Sequence, residues 1–126
     1  MAHNGWDRRR LKVRIAAEAA ERAQHEAHRL TIIAWNERMY VEGGPARPSP
    51  TIGQALAHGY RYLRVRCSHC RQCAWVALAE IRRRPETPVW QLEGALSCRP
   101  CRDRGARAPR GVIERLTREK SLRDGE

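Results

Sequence analysis

Cys67-Ser68-His69-Cys70 and, 27 residues further on, Cys98-Arg99-Pro100-Cys101 decide how the rest of this chain is read. Two cysteines separated by two residues wrap a tight knuckle, so both sulfurs face one ion. Two such knuckles complete a tetrahedron of thiolates with no coordination position left for a substrate. The spacing therefore predicts a structural metal site, one Zn2+ per chain, with Cys67, Cys70, Cys98 and Cys101 as its ligands. A rubredoxin-like iron site uses the same spacing, but an electron carrier favours an acidic chain built around aromatics. Redox dithiols and disulfides are the other uses of paired cysteines. Neither suits two similar pairs in a chain whose residues 1–26 lack the apolar core of an export signal.

A fifth cysteine, Cys73, makes the count odd, and His69 sits inside the first knuckle. Cysteines 67, 70 and 73 cannot all reach one ion that the second pair also holds. Cys73 is expected as a small buried apolar residue at the start of a strand, and His69 as a solvated knuckle tip.

The totals explain why a metal is needed. The chain has 126 residues, no Phe and 31% charged side chains, so its core must be thin, and thin cores are commonly stapled. The formal charge is +11 and the pI is near 10.7, a balance that attracts polyanions. Residues 1–50 carry nine basic and six acidic groups, and residues 60–126 carry sixteen and eight, so the excess belongs to the cysteine-bearing half. Of the 25 basic residues only Lys12 and Lys120 are lysine. A GC-rich genome explains that bias as readily as guanidinium chemistry does, so the charge is informative and the choice of arginine is not.

Outward from the knuckles, residues 60–66 (YRYLRVR) alternate. Tyr60, Tyr62, Arg64 and Arg66 share one strand face, Leu63 and Val65 the other. Residues 73–78 are expected as the hairpin partner and residues 111–116 as a closing strand. Residues 78–84 and 89–96 read as short helical segments around the Pro85–Pro88 break. Thr51 caps a short helix that runs to Ala57 and is stopped by Gly59. Residues 6–40 read as one long helix rich in Ala, Glu, Arg and Gln. Along it Val13, Ala16, Ala20, Ala23, Ala27, Leu30 and Ala34 recur at alternating spacings of three and four. Such a seam either reflects helix propensity alone or packs two helices closely, within the chain or between two copies. The expected fold class is α+β, a small zinc ribbon of short antiparallel strands, two Cys knuckles and short helices, preceded by one long N-terminal α-helix. The expected division is a helix over 1–42, a Gly/Pro linker over 43–50, a ribbon over 51–116 and a polar tail over 117–126.

Residues 51–70 (TIGQALAHGYRYLRVRCSHC), residues 78–101 (LAEIRRRPETPVWQLEGALSCRPC) and residues 111–116 (GVIERL) resemble a group of short bacterial zinc-ribbon proteins. The resemblance spans 51–116 and implies fold and metal, but no activity. Many ribbons place Gly after the second Cys of each knuckle to supply a left-handed turn, whereas here Arg71 and Arg102 stand at those positions.

Function follows from charge. Arg64, Arg66, Arg82, Arg83, Arg84, Arg99, Arg102, Arg104 and Arg107, with Tyr60 and Tyr62 interleaved, form the candidate nucleic-acid contacts of a regulatory or accessory factor. No helix–turn–helix or finger-type spacing points to base readout. The alternative is a protein-interaction module, with the N-terminal helix docking a partner or a second copy beside a purely structural zinc. No enzyme and no small-molecule substrate are expected. The serines have no His/Asp arrangement, there is no Gly-rich phosphate loop, and a four-cysteine zinc is coordinatively closed. No run reaches membrane-span length, and a cytoplasmic location is expected.

Overall fold

The computed structural model describes residues 4–107 and 110–120. The tail expected from 117 onward therefore falls outside the described residues from 121 on, as do residues 1–3 of the N-terminal helix segment. The fold is α+β. Helix α1 (Asn4–Glu42) leads through residues 43–51 to α2 (Ile52–Ala57). Strand β1 (Tyr62–Cys67) pairs antiparallel with β2 (Cys73–Ala77) on one side and with β3 (Gly111–Thr117) on the other. Between β2 and β3 lie 3-10 turns at Leu78–Glu80 and Val89–Ala95, then α3 (Arg99–Asp103). No helix of the described residues is long and apolar enough to cross a membrane.

Thr51 and Gln54 explain where α2 starts. The Thr51 hydroxyl accepts from the Gln54 N–H at 3.1 Å, and the Gln54 side-chain oxygen accepts from the Thr51 N–H at 3.0 Å. This reciprocal box satisfies two amides that a bare helix end would orphan. The helical segment expected over 78–84 is shorter than its apolar spacing implied. It stops after Glu80, and Arg82, Arg83 and Arg84 lie in an exposed loop. The loop closes on α2, with the Gly53 N–H donating to Pro85 O at 2.9 Å and the Ile52 N–H to Thr87 O at 3.0 Å.

One apolar cluster runs through the molecule. Ile32, Trp35 and Met39 of α1 join Ala46, Ile52, Ala55, Tyr60, Leu63, Val65, Leu78, Val89, Leu92, Ile113 and Leu116, so Tyr60, expected on the exposed strand face, is instead part of the core. The face of α1 that meets the sheet is thus the stripe Ile32, Trp35, Met39, spaced by three and four. The alanine seam is not that face, and its members from Val13 to Ala34 remain exposed. Trp35 is 1% exposed, and its indole donates to Ala46 O at 2.9 Å, fastening residues 43–50 back onto the helix.

Strand β3 is a sheet edge, and its outward backbone is satisfied by side chains. The Asn36 amide of α1 donates to Leu116 O at 3.1 Å and accepts from the Leu116 N–H at 2.9 Å, as a neighbouring strand residue would. Glu93 accepts from the Ile113 N–H at 3.1 Å. Helix α1 and the Val89–Ala95 turn so cover an edge that would otherwise recruit another strand.

Candidate metal centre and basic surface

The two knuckles meet because β1 and β3 end side by side. Cys67 closes β1 opposite Gly111, the first residue of β3. Just before Gly111, the Arg110 carbonyl accepts from both the N–H and the hydroxyl of Ser68, at 2.9 and 3.0 Å. On its other side, Arg110 bridges to Ser97, and the Gly111 N–H donates to Leu96 O at 3.2 Å. The segment 96–98 therefore runs along the start of β3 and delivers Cys98 to the first knuckle. Gly111 permits this approach, since a Cβ there would meet Val65 Cγ1 at 2.8 Å and Leu96 Cβ at 3.0 Å.

Each knuckle has its own turn. In the first, the Arg71 N–H donates to Cys67 O at 2.9 Å, and Arg71 adopts φ 64, the left-handed conformation for which ribbons commonly use Gly. The second knuckle opens α3 instead. That helix ends in a Schellman arrangement, with Ala106 N–H to Cys101 O at 3.0 Å, Gly105 N–H to Arg102 O at 3.0 Å, and Gly105 at φ 87. The left-handed position of the second knuckle thus falls on Gly105, and Arg102 stays helical.

Cys67, Cys70, Cys98 and Cys101 converge, with all four sulfurs within 4.8 Å of one another. Cys67 Sγ lies 3.7 Å from Cys101 Sγ, and Cys70 Sγ lies 3.8 Å from Cys98 Sγ. Four sulfurs around one ion at bond lengths of about 2.3 Å are separated by about 3.8 Å along each tetrahedral edge. Two of the six sulfur–sulfur edges thus match that length, and the others lie within 4.8 Å. The backbone agrees, because the N–H groups of His69 and Cys70 point at Cys67 Sγ from 3.3 and 3.4 Å. The Cys70 N–H, with that of His69 and the neighbouring thiols, lowers the Cys67 thiol to about 6. Burial and the sulfurs of Cys70, Cys98 and Cys67 push Cys101 up to about 12. Clustered thiols cannot all ionise without a cation, and a divalent ion is the group this donor set accommodates.

Cys73 and His69 stand apart from the cluster. His69 is exposed at the knuckle tip. Cys73 is half-buried, its sulfur 3.6 Å from Arg64 Nη2 and 3.7 Å from Glu114 Oε1, so it lies against an ion pair.

The arginines divide into three sets. Arg64, grouped by strand alternation with the exposed face, is 6% exposed and pairs with Glu114 at 3.1 Å. Arg66 is half-exposed and engages the other oxygen of the same carboxylate. Arg99, Arg102, Arg104 and Arg107 are exposed beside the cysteines, together with Arg71 and Arg110, and Asp103 is the one acid within residues 67–73 and 97–110. Arg82, Arg83 and Arg84 are exposed as well, but they follow the end of β2 that pairs with Tyr62, at the opposite end of the sheet from the cysteines. The nine arginines therefore form no single surface.

No family model, curated protein or solved structure matches this chain. Its chemistry has to be read from its own residues. Two features escaped sequence reasoning. The first is the backbone of Arg110, a residue that sequence places beside the second knuckle only as a charge, and whose carbonyl and bridge to Ser97 hold the two knuckles together. The second is a trio of histidines that joins α1 to the end of α2. His25 stacks on His58 with ring centroids 4.0 Å apart, and His28 meets His58 edge-on at 6.4 Å. His58 caps α2, so only the fold brings it to residues 25 and 28.

Proposed function

We propose that the chain is a zinc-stapled accessory factor that binds nucleic acid, without sequence preference, through the arginine-rich end that carries the cysteines. The observation that carries this reading is that Arg71, Arg99, Arg102, Arg104, Arg107 and Arg110 are all exposed in the two knuckle segments, residues 67–73 and 97–110, where Asp103 is the one acid. Even after the double negative charge of a zinc tetrathiolate is counted, that end stays positive. Exposed guanidinium groups on a rigid frame suit phosphate contacts, which position a polyanion without reading its bases. Facing knuckles on a three-stranded sheet support the zinc-ribbon assignment, and a closed tetrathiolate supports a non-enzymatic role. Free thiolates as metal ligands suit a reducing compartment, in keeping with a cytoplasmic protein.

Fluorescence anisotropy of the full metal-loaded chain with short single- and double-stranded oligonucleotides tests this. Binding is expected at low salt and should fall steeply toward physiological salt, because each neutralised phosphate releases about 0.7 to 0.9 counterions. Charge reversal of Arg99, Arg102 and Arg104 to Glu should weaken binding and flatten the salt slope. Reversal of Arg82, Arg83 and Arg84, at the far end of the sheet, should do much less. No binding to any oligonucleotide at low salt, or the opposite ranking of the two triple variants, would refute the reading.

A further inference from the structure

Helix α1 reaches well beyond the sheet it serves. Every residue from 5 to 27 is exposed, an arm of roughly 35 Å at 1.5 Å per residue. Helices that bury no face are marginal in water, so an arm this long needs a partner. Trp6, Val13 and Leu30 are 51%, 69% and 52% exposed and, with Ala16, Ala20, Ala23 and Ala27, fall at the spacings of three and four that supercoiling of two helices brings into one seam. Ile32, Trp35 and Met39 are taken up by the sheet, whereas every member of the seam stays exposed, so docking on the sheet leaves the seam open.

We infer that the arm pairs with the arm of a second copy of this chain, antiparallel and centred on Glu18. Spacings of three and four place the side chains in layers. In that register Trp6 covers the partner's Leu30, Val13 the partner's Ala23, and Ala16 the partner's Ala20. The large exposed groups at each end are thus matched with one another, and alanines at the centre allow the axes to approach to about 8 Å. Charge selects the direction. Arg8, Arg9, Arg10, Lys12 and Arg14 crowd the first turns, whereas Glu18, Glu21 and Glu26 follow. A parallel pair would put Arg9 against Arg9 inside the seam and run the two basic stretches side by side. In the antiparallel pair Arg9 lies along the partner's Ala27, with its guanidinium free to reach water. Lys12 then flanks the partner's Glu26, twice by symmetry. The two Trp35 residues, and the sheets they anchor, end up about 50 Å apart, clear of one another. The pairing needs neither metal nor nucleic acid, so it stands or falls separately from the binding reading above.

Sedimentation equilibrium of the full chain at tens of micromolar tests it, with circular dichroism and metal content as controls on folding. The unaltered chain should be a dimer and Ala20→Glu a monomer, since two carboxylates cannot be buried unpaired in the central layers. Lys12→Glu alone and Glu26→Lys alone should each weaken the dimer, roughly three- to tenfold. The double variant Lys12→Glu/Glu26→Lys should restore it to within about twofold, a rescue that only the antiparallel register provides. A monomeric unaltered chain would assign the arm to a different partner and overturn the inference. So would a dimer that persists in Ala20→Glu, or a double variant no tighter than the single ones.

Discussion

Arg64 and Glu114 meet across the β1–β3 pair at 3.1 Å because β3 carries one residue more than β1 at that point. Arg64 pairs with Arg115 and Val65 with Ile113, leaving Glu114 as the extra residue of a β-bulge. The bulge returns Ile113 to the core and turns the Glu114 carboxylate toward Arg64 and Arg66. Glu114→Gln leaves the Arg64 guanidinium buried without its counter-charge. The expected loss is about 3 kcal/mol of stability. Urea unfolding of the metal-loaded protein measures it, and an unchanged midpoint would show that Arg64 is held by other contacts.

That pair also marks where the sequence stops being informative. Strict alternation along residues 60–66 groups Arg64 with Arg66, and nothing local announces a bulge on a strand nearly fifty residues away. The cysteines were legible because ligand spacing is a local constraint that any fold must respect. The long helix and the capped α2 were legible for the same reason, as propensity and a Thr/Gln box act within a few residues. The sheet-facing stripe of α1 was less so. Alanine seam and Ile32–Trp35–Met39 stripe are both helical periods, and only the docked sheet distinguishes them. The histidine trio and the separation of Arg82, Arg83 and Arg84 from the knuckle arginines depend wholly on tertiary placement.

Trp35→Ala should detach α1 from the sheet. Trp35 is 1% exposed and donates to Ala46 O, so the truncation removes a large buried ring and the tie to residues 43–50. The expected cost is about 3–5 kcal/mol. Limited proteolysis should then cut within 43–50 while the cysteine-bearing half keeps its metal. Resistance equal to that of the unaltered protein would contradict the docking.

Arg71→Gly should separate stability from binding. A non-glycine residue at φ 64 carries a steric penalty that Gly does not, so the variant should gain about 1 kcal/mol. Losing one guanidinium from the basic end should at the same time weaken oligonucleotide binding and reduce its salt slope by nearly one. A thermal melt and a salt titration on the same sample read both effects, and a loss of stability would speak against the left-handed turn.

His58 should make the α1–α2 junction sensitive to acid. Burial, then the proximity of His25, His28, Arg118 and Arg29, holds its imidazole below the ordinary value of 6.5, with Glu26 the nearby carboxylate. The unfolded chain therefore takes up a proton at a higher pH than the folded one. The neutral ring contributes fully above 6.5, and its contribution is lost as pH falls from there through the lower folded value. Thermal melts between pH 7.5 and 5.5 should show stability falling with acid, and His58→Gln should flatten that slope. Parallel slopes for the two proteins would exclude His58 as the source.

The metal site holds the two knuckles that carry the basic end, and X-ray absorption at the metal edge of the purified chain, with elemental analysis, tests it most directly. The expected result is one zinc per chain bound by four sulfurs at about 2.3 Å. Chelation, or Cys70→Ser or Cys98→Ser, should then unfold the sheet, whereas Cys73→Ser should leave the zinc in place. Iron in the site, nitrogen or oxygen among the ligands, or a well-folded chain with no metal would contradict it.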